Sequence, residues 1–334
     1  AGQTLTTTAD STGNWSVTPT KLAEGTYTPV VTATDAAGNS ASASGETFTV
    51  DTSIATKVTA VEIVADTNNN GAINGAEKGS ATTTDVKVSF DATTAKVGDV
   101  ISLDTDGNGT YDKTVTLTAT DITTGYVVFT GVALPAEGSA LTVKAAVTAD
   151  VAGNTVASPT VVSDTAALDT TTSVPTGVLP ADTTNDTGSS SSDNITKNTT
   201  PTLTGTAEKG ATVSVVIAGQ TLTATADATG KWTVTPATLA DGTYTPVITA
   251  TDAAGNSAVA NGETFTVDTK APTAISEQLP ETAVADTGTS ATDNVTNNTT
   301  PTLTGTAEAG AKVSVVVAGQ TLTTTADSTG NWSV

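Results

Sequence analysis

Apolar and polar positions alternate along this chain in short runs, such as TVSVVIA from Thr212 and KVSVVVA from Lys312. Alternation with a period of two puts successive side chains on opposite faces of a strand. Pairs such as Asp-Gly, Ala-Gly, Asn-Gly and Thr-Gly punctuate the runs and mark turns. Long helical patterns are absent. Thr is very abundant, and β-branched side chains favour a pleated surface. The pattern predicts an all-β chain built of sandwiches or barrels.

The pattern also repeats itself. AGQTLTTTADSTGNWSV stands at residues 1–17 and again at 318–334, and a near-copy, AGQTLTATADATGKWTV, occupies 218–234. Self-similarity at a fixed period marks an array of similar domains, so the chain reads as a segment of a longer tandem array. Residues 1–52 read as the back half of a repeat, and 53–170 as a longer domain of a second type. Residues 171–269 read as a complete repeat, and 270–334 as the front half of another. Within the complete repeat, strand-like runs fall near 173–179, 201–207, 211–218, 220–227, 231–236, 243–251 and 258–267. Seven short strands in about 100 residues suggest an immunoglobulin-like sandwich. LADGTY, ending at Tyr244, matches the turn before a tyrosine corner, where the hydroxyl bonds back to the backbone. Trp232 and its counterparts Trp15 and Trp332 alternate with polar neighbours and are expected in the cores, an exposed sugar-stacking role being the alternative. Each half-repeat holds only part of a core and needs neighbouring sequence to complete it.

Charge narrows the partners. Twelve basic against 34 acidic residues give a net charge of −22, which argues against nucleic acid or an anionic membrane surface. It favours divalent cations, although self-repulsion for solubility would produce the same balance. There is no Cys, so no disulfide staples any domain, and Ca²⁺ is the obvious substitute. Aromatics make up only 3%, so each core must be small and aliphatic. No membrane-inserting segment or lipidation motif is read in the chain. With no His, no Cys and no Ser in a nucleophile elbow, catalysis is not expected.

Four groups of acidic residues suit cations. DTNNNGAINGAE, residues 66–77, fits the EF-hand loop pattern. Asp66, Asn68 and Asn70 take positions 1, 3 and 5, with Gly71 at the sharp turn. Ala72 would offer its carbonyl at 7, Asn74 stands at 9 and Glu77 is the expected bidentate ligand at 12. The preceding VTAVEIVAD reads as a strand, so the loop sits on a sandwich and not between two helices. A polar turn rich in Asn and Gly is the alternative. In DTDGNGTYD, Asp104, Asp106, Asn108 and Asp112 take positions 1, 3, 5 and 9, but position 12 is Val115, and a hairpin turn would look much the same. The repeats carry a third loop, with Asp186 and Asp193 recurring as Asp286 and Asp293. In strand order it stands where the EF-hand-like loop stands in the second domain. A flexible Ser- and Thr-rich loop is its alternative.

The fourth group lies at the domain ends. D-(A/V)-A-G-N occurs at Asp35, Asp150 and Asp252, before the last strand, and is either a cation ligand or a turn whose Asp caps its own backbone. The repeats close on Asp51 and Asp268, and the second domain closes on Asp169. Seven-strand topology sends Asp169 and the loops at Asp66 and Asp104 towards Glu208, Asp227 and Asp252. It sends Asp186, Asp193, Asp241 and Asp268 towards Glu308 and Asp327. Converging carboxylates repel unless a cation bridges them.

The ordered phrases DTG…SDN(I/V)T…TPTLTGTAE, G(N/K)W, GTYT…ATDAAGN and FTVDT resemble bacterial Ig-like repeats of giant, calcium-binding, type I-secreted (RTX/Bap-like) biofilm adhesins of Gram-negative bacteria. The resemblance covers the 100-residue repeats, and the second domain looks like a related module. It implies an extracellular stalk on the cell surface, Ca²⁺ at and near interdomain linkers, and neighbouring repeats of the same chain as partners. Homophilic contacts in a self-associating fibre, or an Ig-like spacer in a secreted hydrolase, are the competing readings.

Overall fold

Strands dominate the structure, as the alternation requires, and their exchange between sheets follows Pro and Gly. A computed structural model describes residues 2–273, 275–282 and 284–334; Ala1, Ala274 and Ala283 lie outside the described residues. The chain divides into two units, Ala1–Thr171 and Thr172–Val334.

The first unit opens with four strands, β1 (Gly25–Tyr27), β2 (Val30–Thr34), β3 (Ser40–Ser44) and β4 (Phe48–Val50), paired β1–β4 and β2–β3. Residues 53–170 then supply β5 (Val58–Ile63), β6 (Ala72–Ile73), α1 (Gly75–Lys78), β7 (Thr83–Phe90), β8 (Val100–Asp104) and β9 (Lys113–Thr116). They continue with α2 (Ala119–Thr124), β10 (Tyr126–Ala133), β11 (Ala140–Ala149) and β12 (Val162–Leu168). Two sheets result, ordered β10-β7-β5 and β6-β12-β11-β8-β9. Between them lies a mainly aliphatic core, joined by Phe90 and Phe129, in which Ile73, Val86, Val88, Ile101, Leu103 and Val143 are fully buried. Each such side chain contributes roughly 1.5–3 kcal/mol by leaving water.

The complete repeat comprises β13 (Ile195–Thr196), β14 (Leu203–Thr206), β15 (Thr212–Ile217), β16 (Gln220–Thr225), β17 (Lys231–Val234), β18 (Gly242–Tyr244), β19 (Val247–Thr251), β20 (Ser257–Asn261) and β21 (Phe265–Val267). Its sheets run β16-β15-β19-β20, β13-β21-β18 and β14-β17. The run expected at 243–251 is therefore two strands. Pro246 separates them, and β18 and β19 join different sheets. The run at 258–267 breaks likewise at Gly262, whose N–H donates to the Pro246 carbonyl at 2.8 Å. The two breaks face each other, so both strands change sheets at one level. The run at 173–179 forms no strand; it is tied by backbone bonds between Thr176 and Thr206 and between Val178 and Thr204. The last segment adds β22 (Thr304–Thr306), β23 (Lys312–Val317), β24 (Gln320–Thr325) and β25 (Asn331–Ser333).

Trp232 and Trp332 are buried, as expected, at 2% and 4% exposure. Trp15 is not: it is 50% exposed, and residues 2–24 form no strand. The reason is the missing partner. β14 covers Trp232 through a Gly205–Trp232 pairing, and among the described residues no strand stands opposite Trp15. The tyrosine corner is present twice, with Tyr244 donating to the Ala240 carbonyl and Tyr27 to the Ala23 carbonyl, each at 2.8 Å.

Gly205 is required by the ring it touches. A Cβ there would lie 1.9 Å from the Thr176 oxygen and 2.4 Å from Trp232 Cζ2. Gly205→Ala is expected to destabilise the repeat by ~2 kcal/mol or more, as overpacking against backbone does. Amide exchange at β14 and β17, accelerated while that at β7 and β11 stays unchanged, checks this.

Candidate metal centres

The four acidic groups end in different environments. The EF-hand-like loop starts at Asp66, just beyond strand β5, and its carboxylate is 4% exposed. Asp66 Oδ1 accepts from the Asn70 N–H at 3.1 Å, and Oδ2 from the Gly71 N–H at 2.9 Å. Asn68 Oδ1 accepts from the Asn70 N–H, and Asn70 Oδ1 from the Ala72 N–H. Gly71 adopts φ 82°, the left-handed region a sharp loop needs. Asn74 caps the single turn α1, accepting from the N–H groups of Ala76 and Glu77. Glu77 completes the capping box on the Asn74 N–H and accepts from the Thr67 N–H and hydroxyl. Burial pushes the Glu77 carboxyl up, but these donors outweigh it and hold it below its ordinary value.

The second loop joins β8 to β9. The carboxylate oxygens of Asp104, Asp106 and Asp112 lie within 4.8 Å of one another. Asp104 is 1% exposed, and its carboxylate accepts from the N–H groups of Gly107 at 2.7 Å and Gly109 at 2.8 Å. Burial raises its carboxyl, and the N–H groups of Gly109, Asp106 and Gly107 bring it below the ordinary value. Asp106 accepts from the Asn108 side chain, and Asp112 accepts from the N–H and hydroxyl of Thr105. Val115, at the place of a bidentate acid, lies on β9 and packs on the core. Three carboxylates at this spacing repel one another, and a hard divalent cation with oxygen ligands is the species that relieves this.

The repeat loops differ again. Asp186 and Asp286 are each 1% exposed. One oxygen, Oδ2, accepts from the N–H of Asn194 or Asn294, at 3.1 and 3.0 Å. The other, Oδ1, has no partner in either copy. Asp193 and Asp293 stand exposed nearby in sequence and accept from the N–H groups of Ile195 and Val295. A buried carboxylate oxygen without a donor costs several kcal/mol of lost hydration, so the pocket fits a cation at that oxygen.

Loop placement agrees between the two domain types. β6, leaving the EF-hand-like loop, pairs parallel with β12; β13, leaving the Asp186 loop, pairs parallel with β21. The closing aspartates are bonded alike. The Asp169 N–H donates to the Ile73 carbonyl at 3.1 Å, and the Asp268 N–H to the Thr196 carbonyl at 2.8 Å.

In the D-x-A-G-N turns the carboxylates accept from their own turn. Asp35, Asp150 and Asp252 each accept from two backbone N–H groups and from the amide of the turn's Asn39, Asn154 or Asn256. This is the geometry the self-capping reading requires. Asp227 and Asp327 cap similar turns through Thr229 and Thr329.

A recurring clip was not foreseen at any of its three places; of its acids, the sequence singles out Asp241 alone, as one facing the next domain. After each closing Asp, a Thr donates its N–H and hydroxyl to an acid that precedes a Gly. Thr52 binds Glu24, Thr170 binds Glu137 and Thr269 binds Asp241. These bonds hold all three carboxyls below their ordinary values. The signal was legible as (E/D)-G upstream of a closing D-T, at separations of 28, 33 and 28 residues.

A family model described as bacterial Ig-like domain matches residues 1–52, 172–269 and 275–334. No curated protein matches the chain. Among solved structures, the chain is similar to a Ca²⁺-stabilized adhesin that helps an Antarctic bacterium reach out and bind ice (31% identity, covering 92% of this chain and 72% of that one, TM-score 0.34). It is also similar to a tetra-tandem repeat in the extending region of a large adhesion protein (22% identity, 94% and 73% covered, TM-score 0.30). A third similarity is to a 1.5-MDa bacterial ice-binding adhesin (26% identity, 71% and 72% covered, TM-score 0.30).

The carboxyls of Glu77 and Asp104 sit below ordinary values of 4.5 and 3.8, so the unfolded chain binds more protons than the folded one. Their contribution to stability is complete above those values and is lost as pH falls through the lower, folded ones. In an acid titration of amide exchange in β8 and β12, Glu77→Gln and Asp104→Asn are each expected to flatten the pH dependence. Stability that rises on acidification would contradict this.

Proposed function

The chain belongs to the bacterial Ig-like domain family, and from that premise we propose that it is a stalk segment of a bacterial cell-surface adhesin, stiffened by Ca²⁺ and extending an adhesive tip for adhesion and biofilm formation. The observation that carries the calcium reading is the unpartnered, buried Oδ1 of Asp186, repeated at Asp286. The carboxylate triplet of Asp104, Asp106 and Asp112 supports it independently.

In this reading, Ca²⁺ is held by Asp66, Asn68, Asn70, the Ala72 carbonyl, Asn74 and Glu77 in the first loop. Asp104, Asp106, Asn108 and Asp112 hold it in the second. Asp186 and Asp193, with Asp286 and Asp293, hold it in the repeats. Asp169, Asp252 and Asp268 contribute at the linkers. The ion supplies charge neutralisation, and the chain supplies the connection to the linker. The Asp66 and Asp186 loops each feed a short strand that is bonded to the amide of the closing Asp. Ordering the loop therefore orders the residue from which the linker departs. The four-part division at residues 52, 170 and 269 goes with this reading, as does an extracellular location. No group of residues is assigned to catalysis. Among the described residues, no helix is long and apolar enough to cross a membrane.

Binding to the folded state alone stabilises by mass action, about 2.7 kcal/mol per site at a hundredfold excess over Kd. Chelation is thus expected to lower the melting transition of the 334-residue chain and to speed amide exchange around Thr196 and Asp268. Asp186→Asn is expected to remove one calorimetric Ca²⁺ site and to abolish the chelator response at Asp268. An unchanged melt and unchanged exchange on chelation would leave the loops as ordinary turns and the stalk without calcium control.

A further inference from the structure

At the joint after Asp51 a lysine meets the closing aspartate itself, whereas Lys270, beyond Asp268, reaches Asp241 at 3.7 Å. Between residues 1–52 and 53–170, the Lys96 ammonium lies 2.5 Å from Asp51 Oδ2. The Asp51 side chain is 13% exposed, while Lys96 is 50% exposed and reaches the joint from the turn before β8. The Asn154 amide also donates to the Asp51 carbonyl at 3.1 Å, so two turns of the second domain grip the closing residue of the first segment.

Lys96 stands where the repeats carry glutamate. Three turns share one set of backbone bonds. Gly98 donates to the Leu117 carbonyl, Gly210 to Ala226 and Gly310 to Ala326. Asp99 donates to the Lys96 carbonyl, Ala211 to Glu208 and Ala311 to Glu308. The three glycines have φ of 102°, 80° and 80°. Lys96, Glu208 and Glu308 are therefore equivalent positions, and the charge is reversed at the first. Asp99 comes with the reversal, taking the place of Ala211 and Ala311. It is 2% exposed and accepts from the Thr56 hydroxyl, the Lys96 N–H and, at 3.4 Å, the Val151 N–H. Asp150 is capped by its own turn, with three donors. Asp51 has only a 3.4 Å contact from the Ser53 N–H besides the ammonium. Asp51 above all, then Asp99 and Asp150, hold the Lys96 ammonium above its ordinary value despite burial.

We propose that Lys96 is a built-in cation that closes the joint at Asp51, so that this joint holds without calcium while the joint at Asp268, with Glu308 at the same position, requires it. The contrast between joints rests on the calcium reading above; the lysine pin does not. The charge carried at this position then sets whether a joint senses calcium. On chelation, residues 1–170 stay fixed to each other while the joint at Asp268 loosens.

The test uses the full 334-residue chain, which contains no Cys, so paired spin labels can be placed at will. Ala43→Cys with Thr123→Cys spans the joint at Asp51; Val259→Cys with Ala309→Cys spans the joint at Asp268. Double electron–electron resonance reads each distance distribution in excess Ca²⁺ and in excess chelator. The 43/123 distribution is expected to stay narrow in both conditions, to broaden in both with Lys96→Ala, and to broaden only in chelator with Lys96→Glu. Lys96→Arg, which keeps the charge, is expected to keep the distribution narrow. Broadening of the unmodified 43/123 pair on chelation, or no effect of Lys96→Ala, overturns the proposal. The 259/309 pair separates the two readings. If it ignores chelator, the calcium reading and the contrast between joints fail together, and the 43/123 pair alone decides the lysine pin.

Discussion

The short parallel pairing between a loop's exit strand and the domain's last strand is the contact from which the rest of each domain's logic follows. In the repeat it is Ile195–Thr196 against Thr266–Val267; in the second domain it is Ala72–Ile73 against Ala167–Leu168. Two residues a side are too few to be stable alone. They persist because the last strand is held on its other edge as well, by β18 in the repeat and by β11 in the second domain. The acidic loop, the core and the closing aspartate are thereby bonded in series. A sparse aliphatic core without disulfides gains a polar anchor at the end that faces the linker.

Much of this was legible in the sequence, because repetition and turn chemistry are local. The alternating run from Thr212 became β15 with Val213, Val215 and Ile217 buried, and the Asp-Gly turn before Tyr244 gave the tyrosine corner. What was not legible depends on partners far along the chain. The duplicated 17 residues show why. At residues 320–333 they form β24 and β25 and bury Trp332; at residues 2–17 the same letters form no strand, and Trp15 is half exposed. A strand is stabilised by its cross-strand neighbours, and only the later copy has β22 and β23 beside it. The breaks at Pro246 and Gly262 were missed for a related reason. Apolar alternation continues through them, while the sheet that receives it changes.

The acids divide by what already donates to them. Spacing alone put Asp252 and Asp186 in one class of candidate, yet their surroundings differ. Asp252 is supplied by its own turn, whereas Asp186 keeps one buried oxygen with nothing to meet it. Likewise, Glu24, Glu137 and Asp241 are hydrogen-bonded by a threonine and so belong to the linker's structure. With a net charge of −22, the chain keeps many carboxylates near its joints, and backbone N–H and hydroxyl donors offset part of their repulsion.

The position of the closing aspartate has a mechanical consequence. Tension drawn on the chain beyond Asp268 enters β21 along its own axis, at right angles to the hydrogen bonds that tie it to β13 and β18. The bonds are loaded together in shear, not opened one by one like a zipper. The Thr269–Asp241 clip, with the Lys270 contacts to Asp241 and Asp268 beside it, lies outside β21 and meets the pull before that strand does. A pull on the linker would strain a threonine contact before any apolar side chain left its core.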